Sequence, residues 1–167
     1  MFKLDPIKNM SEVERLRYMQ ILLKGQVSSE KDELANLSNA SAIIMACLDR
    51  LNWSGFYLMK EGELVLGPFQ GLPACNRIQV GKGVCGTAVE SKGTQLVGDV
   101  HLFPGHIACD AASNSEIVIP IIKNGKVYGV LDIDSPIKER FDEVHKEYLE
   151  KFVDNLNKYI DWDKITF

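Results

Sequence analysis

Apolar residues change their spacing twice along this chain. In the first third they recur three to four residues apart, the period of a helix with one buried face. Ser11 is placed to cap a helix that runs to Lys24, with Glu12 and Glu14 in its first turn and Gly25 after its end. Ser28 or Ser29 caps the next, followed by Glu30, Asp32 and Glu33. Its apolar stripe is Leu34, Leu37, Ile44 and Leu48, with Ile43 and Cys47 beside it. From Asn52 the period becomes that of strands. Residues 53–59 are aromatic and apolar, 60–63 turn, and 64–70 return. A glycine-rich loop follows at 71–75, then a short strand at 77–80, a short helix at 84–91 and a strand at 94–100. The loop 101–115 is long for a compact domain, and such loops tend to carry function. Strands 116–123 and 126–134 flank Asn124-Gly125, the strongest short hairpin signal. An amphipathic helix closes the pattern at 141–160, with Val144, Tyr148, Leu149, Phe152, Val153, Leu156 and Tyr159 on its core side.

That order predicts an α+β fold with a central, mostly antiparallel sheet. The N- and C-terminal helices are expected on one face. Loops and the short helix roof the other face and enclose a pocket. No repeat or linker interrupts the pattern, so one domain is expected over 1–167, its helical N-terminal part at about 9–50.

Composition narrows the setting. A chain of 167 residues buries a core without covalent staples, and 46% hydrophobic with 25% charged residues is ordinary for a globular protein. A net charge of −4 offers no basic surface, so neither nucleic acid nor an anionic membrane is expected as a partner. The opening MFKLDPIKNMSEVERL has no apolar h-region, so no signal peptide is read there, and no apolar run approaches a bilayer span. A cytoplasmic location is expected. Cys47, Cys75, Cys85 and Cys109 are then read as buried, metal-binding or catalytic rather than as a disulfide frame. Cys47, within a helix, reads as structural.

The candidate chemistry gathers between His106 and Asp134. Cys109 lies in the long loop, with His106 before it and Asp110 after it. A nucleophilic cysteine must be accessible and partly ionised, and this loop offers both; an inert, buried cysteine is the alternative. Asp132 and Asp134 share one face of a strand with Tyr128 and Val130, while Val127, Gly129, Leu131 and Ile133 face the core. Neighbouring carboxylates repel, so one holds its proton more tightly and can donate it to a substrate oxygen. A solvated strand tip is the alternative. Glu116 poses a problem of parity. A regular two-residue hairpin sets Lys123 opposite Lys126, Ile117 opposite Asp132 and Glu116 opposite Ile133. Glu116 would then face away from both aspartates. It joins them only if a bulge or kink falls between Glu116 and Lys123, for which Pro120 is the candidate, or if it precedes the paired region.

Trp53 and Tyr57 share a strand face with Gly55 between them, which leaves either a cleft between two rings or ordinary core packing. A zinc site from Cys75, Cys85, Cys109 and His106 has poor spacing. Thiol exchange fits better, because a sulfenic acid is normally cleared by a second thiol, and Cys75 in its Gly-Pro loop is a candidate. Gly81-Lys82-Gly83 lacks the full phosphate-loop pattern.

At these residues the sequence resembles the free methionine-(R)-sulfoxide reductases, a family built on a GAF domain. The resemblance rests on NWSGFYL (52–58), LGPFQGLPAC (66–75), GKGVCGTA (81–88), HIACDAASNSEIVIP (106–120) and GVLDIDS (129–135), and covers the chain from Leu51 to the last helix. It implies reduction of free L-methionine-R-sulfoxide to methionine. Cys109 matches the nucleophile, and Glu116, Asp132 and Asp134 match the carboxylates that bind and activate the sulfoxide oxygen. Trp53 and Tyr57 match an aromatic wall around the methyl group. Cys75 matches the thiol that resolves the sulfenic acid as a disulfide, with Cys85 an alternative, and thioredoxin restores the thiols. No metal and no tightly bound cofactor is implied. An exposed face on the N-terminal helices leaves room for a homodimer. Two other readings use the same residues: a ligand-binding GAF module without turnover, and a thiol redox sensor or metal-binding protein. The first is expected to carry an output domain or linker, and none is read in these residues.

Overall fold

The computed structural model describes residues 5–107 and 109–165, so the domain expected over 1–167 extends past it at both ends. Helices α1 (Glu12–Val27) and α2 (Glu33–Cys47) come first. Strands β1 (Trp53–Lys60), β2 (Glu63–Gly71) and β3 (Arg77–Gln79) follow, then α3 (Gly83–Ser91) and β4 (Gln95–Val97). The hairpin β5 (Ser115–Lys123) and β6 (Lys126–Ser135) leads to α4 (Glu143–Tyr159). The six strands form one sheet in the order β3-β2-β1-β6-β5-β4, with every pair antiparallel. Among the described residues, no helix is long and apolar enough to cross a membrane.

Local chemistry sets the helix ends, in places against expectation. Ser11 and Glu14 form a reciprocal capping box at the start of α1. The helix does not stop before Gly25. It continues to Val27, whose side chain is buried in the core. Ser28 and Ser29 donate to the carbonyls of Gly25 and Gln26, closing α1 rather than opening α2. Asp32 caps α2, accepting from the Ala35 amide at 2.8 Å. Leu34 stands 59% exposed and lies outside the apolar stripe, while Leu37, Ile43, Ile44 and Cys47 are buried. Strand β4 is shorter than expected, because Val100 begins a 3-10 turn capped by Asp99. On α4, Val144 and Tyr159 are exposed, and His145 is buried in their stead.

The sheet has two unlike faces. Helices α1, α2 and α4 cover one, packing Leu23, Leu37, Ile44 and Phe152 against Phe56, Leu131 and Ile133. The other carries a smaller cluster under α3: Trp53, Tyr57, Val84, Ala88, Val118 and Val130.

The register of the β5–β6 hairpin decides which side chains reach that second face. Asn124 and Gly125 both take positive φ, 52° and 78°, as a two-residue turn with the twist of the sheet requires. Lys123 pairs with Lys126 and Ile122 with Val127, but Ile121 pairs with Gly129. Tyr128 is therefore an extra residue on β6, and the bulge brings Glu116 opposite Asp134 and Val118 opposite Asp132. The break expected between Glu116 and Lys123 exists, though not at Pro120, which pairs regularly with Val130. The extra residue lies on the partner strand. It also reverses the alternation expected at the start of β6: Tyr128 packs on the helix side and Val127 on the pocket side.

Beside the extra residue, Gly129 packs tightly against β1. A Cβ there would stand 2.9 Å from the Leu58 Cα of β1 and closer still to the Tyr57 carbonyl. Gly129→Ala is expected to destabilise the fold by about 1–3 kcal/mol, the cost of overpacking a tight contact. Urea denaturation measures it, and a loss below about 0.5 kcal/mol would show that the strands can part there freely.

Candidate active site

Strand pairing lines up the site in rows across β1, β6 and β5. Trp53, Asp134 and Glu116 form one row; Gly55, Asp132 and Val118 form the next; Tyr57, Val130 and Pro120 the third. Opposed residues share a face, so all three acids point to the side roofed by α3 and the 101–113 loop. Together with Cys85, His106, Cys109, Ser113 and the apolar Ile78, Val84 and Ile107, they line a cavity of about 30 Å³. Asp132 and Glu116 are both 6% exposed. The acids are not a solvated strand tip.

The two loop cysteines are joined. Cys75 and Cys109 form a disulfide with Cα atoms 5.3 Å apart, while Cys47 and Cys85 are free and buried. Cys75, Cys85, Cys109 and His106 therefore do not assemble as a metal site. Burial raises the Cys47 thiol to about 11, in keeping with a structural residue.

Trp53 and Tyr57 are 1% exposed and do not line the cavity. Of the two readings, core packing holds, and no cleft is left between the rings. Their rings stack with centroids 5.8 Å apart, Phe69 from β2 stacks on Trp53 at 5.3 Å, and the space over Gly55 is taken by Trp53 and Phe69. Their polar tips are used instead. The Tyr57 hydroxyl donates to the Cys75 carbonyl at 2.9 Å, and Trp53 Nε1 donates to the Leu72 carbonyl at 3.1 Å. Both aromatics thus hold the loop that brings Cys75 to Cys109.

Crowding sets the protonation of the acids. Burial, then the charges of Asp132 and Asp134, hold the Glu116 carboxyl well above the ordinary carboxylate range. Burial, then the charge of Asp132, does the same to Asp134. Burial raises Asp132 to about 6, and hydrogen bonds from Cys85 and Glu116 limit the rise. Glu116 and Asp134 thus hold their protons more tightly than Asp132, the most readily ionised of the three. The Cys85 thiol, which donates to Glu116 Oε1 at 3.9 Å, is pushed well up by burial and by Asp132 and Glu116. His106 Nε2 lies 3.9 Å from Glu116 Oε2, and burial lowers the pKa of its ring.

Sequence reasoning missed the clamp on the Cys109 loop. Asn52 Nδ2 donates to Asp110 Oδ2 at 2.8 Å and to Ser113 Oγ at 3.0 Å, and its backbone amide donates to the Asp134 carbonyl. Asn52 stands beside Trp53 in the sequence, yet its reach of 58 residues to Asp110 leaves no local signal.

The raised Asp132 makes stability depend on pH with a definite sign. An unfolded aspartate releases its proton near pH 4, whereas the folded one holds it to about 6. In that window the folded protein binds more protons, so stability is lost as pH rises through it. Asp132→Asn removes this loss. The variant is expected to gain on the wild type between pH 4 and pH 7, by on the order of 2 kcal/mol in urea denaturation. An unchanged difference at the two pH values would show that the fold does not hold this proton.

Known proteins place this geometry in a family. A family model for the GAF domain matches residues 37–161. The free methionine-R-sulfoxide reductase of Escherichia coli is 51% identical over 134 residues, 80% of this chain and 81% of its own. That of Saccharomyces cerevisiae is 48% identical over 158 residues, 90% of this chain and 88% of its own. The free methionine-R-sulfoxide reductase of Neisseria meningitidis, solved in complex with its substrate, superposes with a TM-score of 0.89 at 40% identity, covering 93% of each chain. On fold, motifs and relatives alike, the chain belongs to the GAF-domain family of free methionine-R-sulfoxide reductases.

Proposed function

We propose that this protein reduces free L-methionine-(R)-sulfoxide to L-methionine and is recycled by thioredoxin. The observation that carries the reading is the Cys75–Cys109 disulfide beside a pocket lined by Glu116, Asp132 and Asp134. The relatives named above act as the same kind of reductase.

The substrate's sulfoxide oxygen is basic and leaves sulfur only when protonated. Glu116 or Asp134, each an acid that holds its proton tightly in this crowded pocket, supplies that proton. The Cys109 thiolate attacks the sulfur. Oxygen passes to Cys109 as a sulfenic acid, the substrate sulfur gains two electrons, and methionine departs. The Cys75 thiol then attacks the Cys109 sulfur, water leaves, and the disulfide forms. A thioredoxin dithiol reduces that disulfide by exchange. Electrons come from thiols and protons from carboxyls, so the steps as written call on no cofactor. Cys85 is the poorer resolving thiol, because it is buried on the pocket floor and donates to Glu116. Trp53 and Tyr57 wall the substrate methyl once the Cys75 loop has moved off them. The dependence on thioredoxin fits a cytoplasmic setting.

Turnover of the free R epimer with thioredoxin and its reductase tests the reading. Cys109→Ser is expected to abolish it. Cys75→Ser should release methionine in a single burst and then stall. Glu116→Gln should lower kcat by about 10²–10⁴-fold. Full turnover by Cys109→Ser would overturn the mechanism.

A further inference from the structure

Beneath the disulfide, the pocket floor carries a donor set of its own. Cys85, Glu116 and Asp132 are buried, and each brings a thiol or carboxylate atom within 4.8 Å of the other two. Asp132 lines the cavity, and its buried Oδ1 has no hydrogen-bond partner among the described residues. A buried polar atom left so costs free energy comparable to a lost hydrogen bond, and a ligand would satisfy it. On the outer side of this floor, His106 Nε2 stands 3.9 Å from Glu116 Oε2.

We propose that this floor binds a divalent cation of intermediate softness, Zn²⁺ above all, through Cys85 Sγ, Glu116 and Asp132, with His106 at hand as a fourth donor. Tetrahedral zinc, with bonds of about 2.0–2.3 Å, sets its donors roughly 3.5 Å apart, so the three side chains need close in by only about 1 Å. A thiolate among oxygens selects zinc over magnesium or calcium. The cation also answers the like-charge crowding of the floor: Cys85 and Glu116 give up their protons to solvent, Asp132 is the acid most readily ionised, and the cation's two positive charges offset the negative charge left on the ligands. The site does not need the loop cysteines, whose sulfurs are tied to each other. Cys47 is remote from it, in the core under the helices. Because zinc would hold Glu116 and Asp132, the loaded protein is expected to be blocked as a reductase. That consequence rests on the proposed function; binding does not.

The test uses the full chain in its disulfide form, where Cys85 is the pocket's free thiol. With Co²⁺ as probe, a thiolate-to-metal charge-transfer band and the visible bands of a tetrahedral site are expected. One equivalent of Zn²⁺ should remove them, and excess Mg²⁺ should not. Competition with a chromophoric chelator should give one zinc per chain. Cys85→Ser and the near-isosteric Glu116→Gln, each checked for intact circular dichroism, should weaken zinc by more than the roughly 10–100-fold that loss of an outer partner costs. Absence of the charge-transfer band, or unchanged zinc affinity in both folded variants, would overturn the site. Zinc binding is read without turnover, so a chain that binds zinc but reduces no sulfoxide would support this inference and overturn only the reductase reading.

Discussion

Repulsion among three crowded acids, two buried and one half-buried, is the constraint around which this fold is arranged. Glu116, Asp132 and Asp134 share one small volume with a thiol, and the described residues place no lysine or arginine among the lining groups. Such a cluster is stable only if most of it stays neutral, which is why Asp132 alone approaches its ordinary range. The cost is offset on the opposite side of the same strands. Leu131 and Ile133 alternate with the acids of β6, Ile117 follows Glu116 on β5, and all three are fully buried under the helices. Each such side chain stabilises the fold by about 1.5–3 kcal/mol. A strand cannot release the acid without unseating its apolar neighbours.

Acids and sulfurs are held in different ways, and the difference matches what each must do. The entrance of β5 is fixed by short bonds: Ser115 Oγ donates to the Ile137 carbonyl at 2.6 Å, and Ser135 Oγ to that of Arg50 at 2.6 Å. Behind it, the buried Arg140 guanidinium donates to the Asp49 carbonyl and carboxylate, contacts His145 Nε2 at 2.9 Å and pairs with Glu12. One side chain thereby ties the start of α1, the end of α2 and the start of α4 to the segment after β6. Cys75 and Cys109, by contrast, sit on loops. In the proposed cycle, groups that hold a proton in a fixed place are on the sheet, and groups that must meet, part and meet thioredoxin are not.

Local pattern made the hairpin legible, since Asn124-Gly125 between apolar runs admits little else. Parity then required a bulge before Glu116 could join the aspartates. Its position was not legible, because the extra residue falls on β6, next to a Gly129 that packs tightly on Leu58 of β1, a contact between strands that no local signal records. What decides between cleft and core packing at Gly55 was not legible for the same reason: the ring that fills the space is Phe69, brought in by the pairing of β1 with β2. Ser28 and Ser29 misled because they can close a helix as well as open one, and Asp32 was the better cap. Residue type and spacing singled out Cys109, Cys75 and the two aspartates, and the structure joins the first two and sets Cys109 in one pocket with the aspartates. How the aromatics serve them was not legible.

That service constrains the proposed redox cycle. Trp53 and Tyr57 are buried to 1%, and each has a polar tip that must find an acceptor. In the disulfide form the acceptors are the carbonyls of Leu72 and Cys75. If the loop withdrew on reduction, it would strand a buried indole N–H and a buried hydroxyl, each costing about 1–3 kcal/mol while unpaired. Whatever takes the loop's place must offer acceptors there. A free amino acid, with its own carboxylate, meets that demand; an apolar molecule of the same size does not. The hydrogen bonds that seat the resolving cysteine would then also discriminate among ligands for the open pocket.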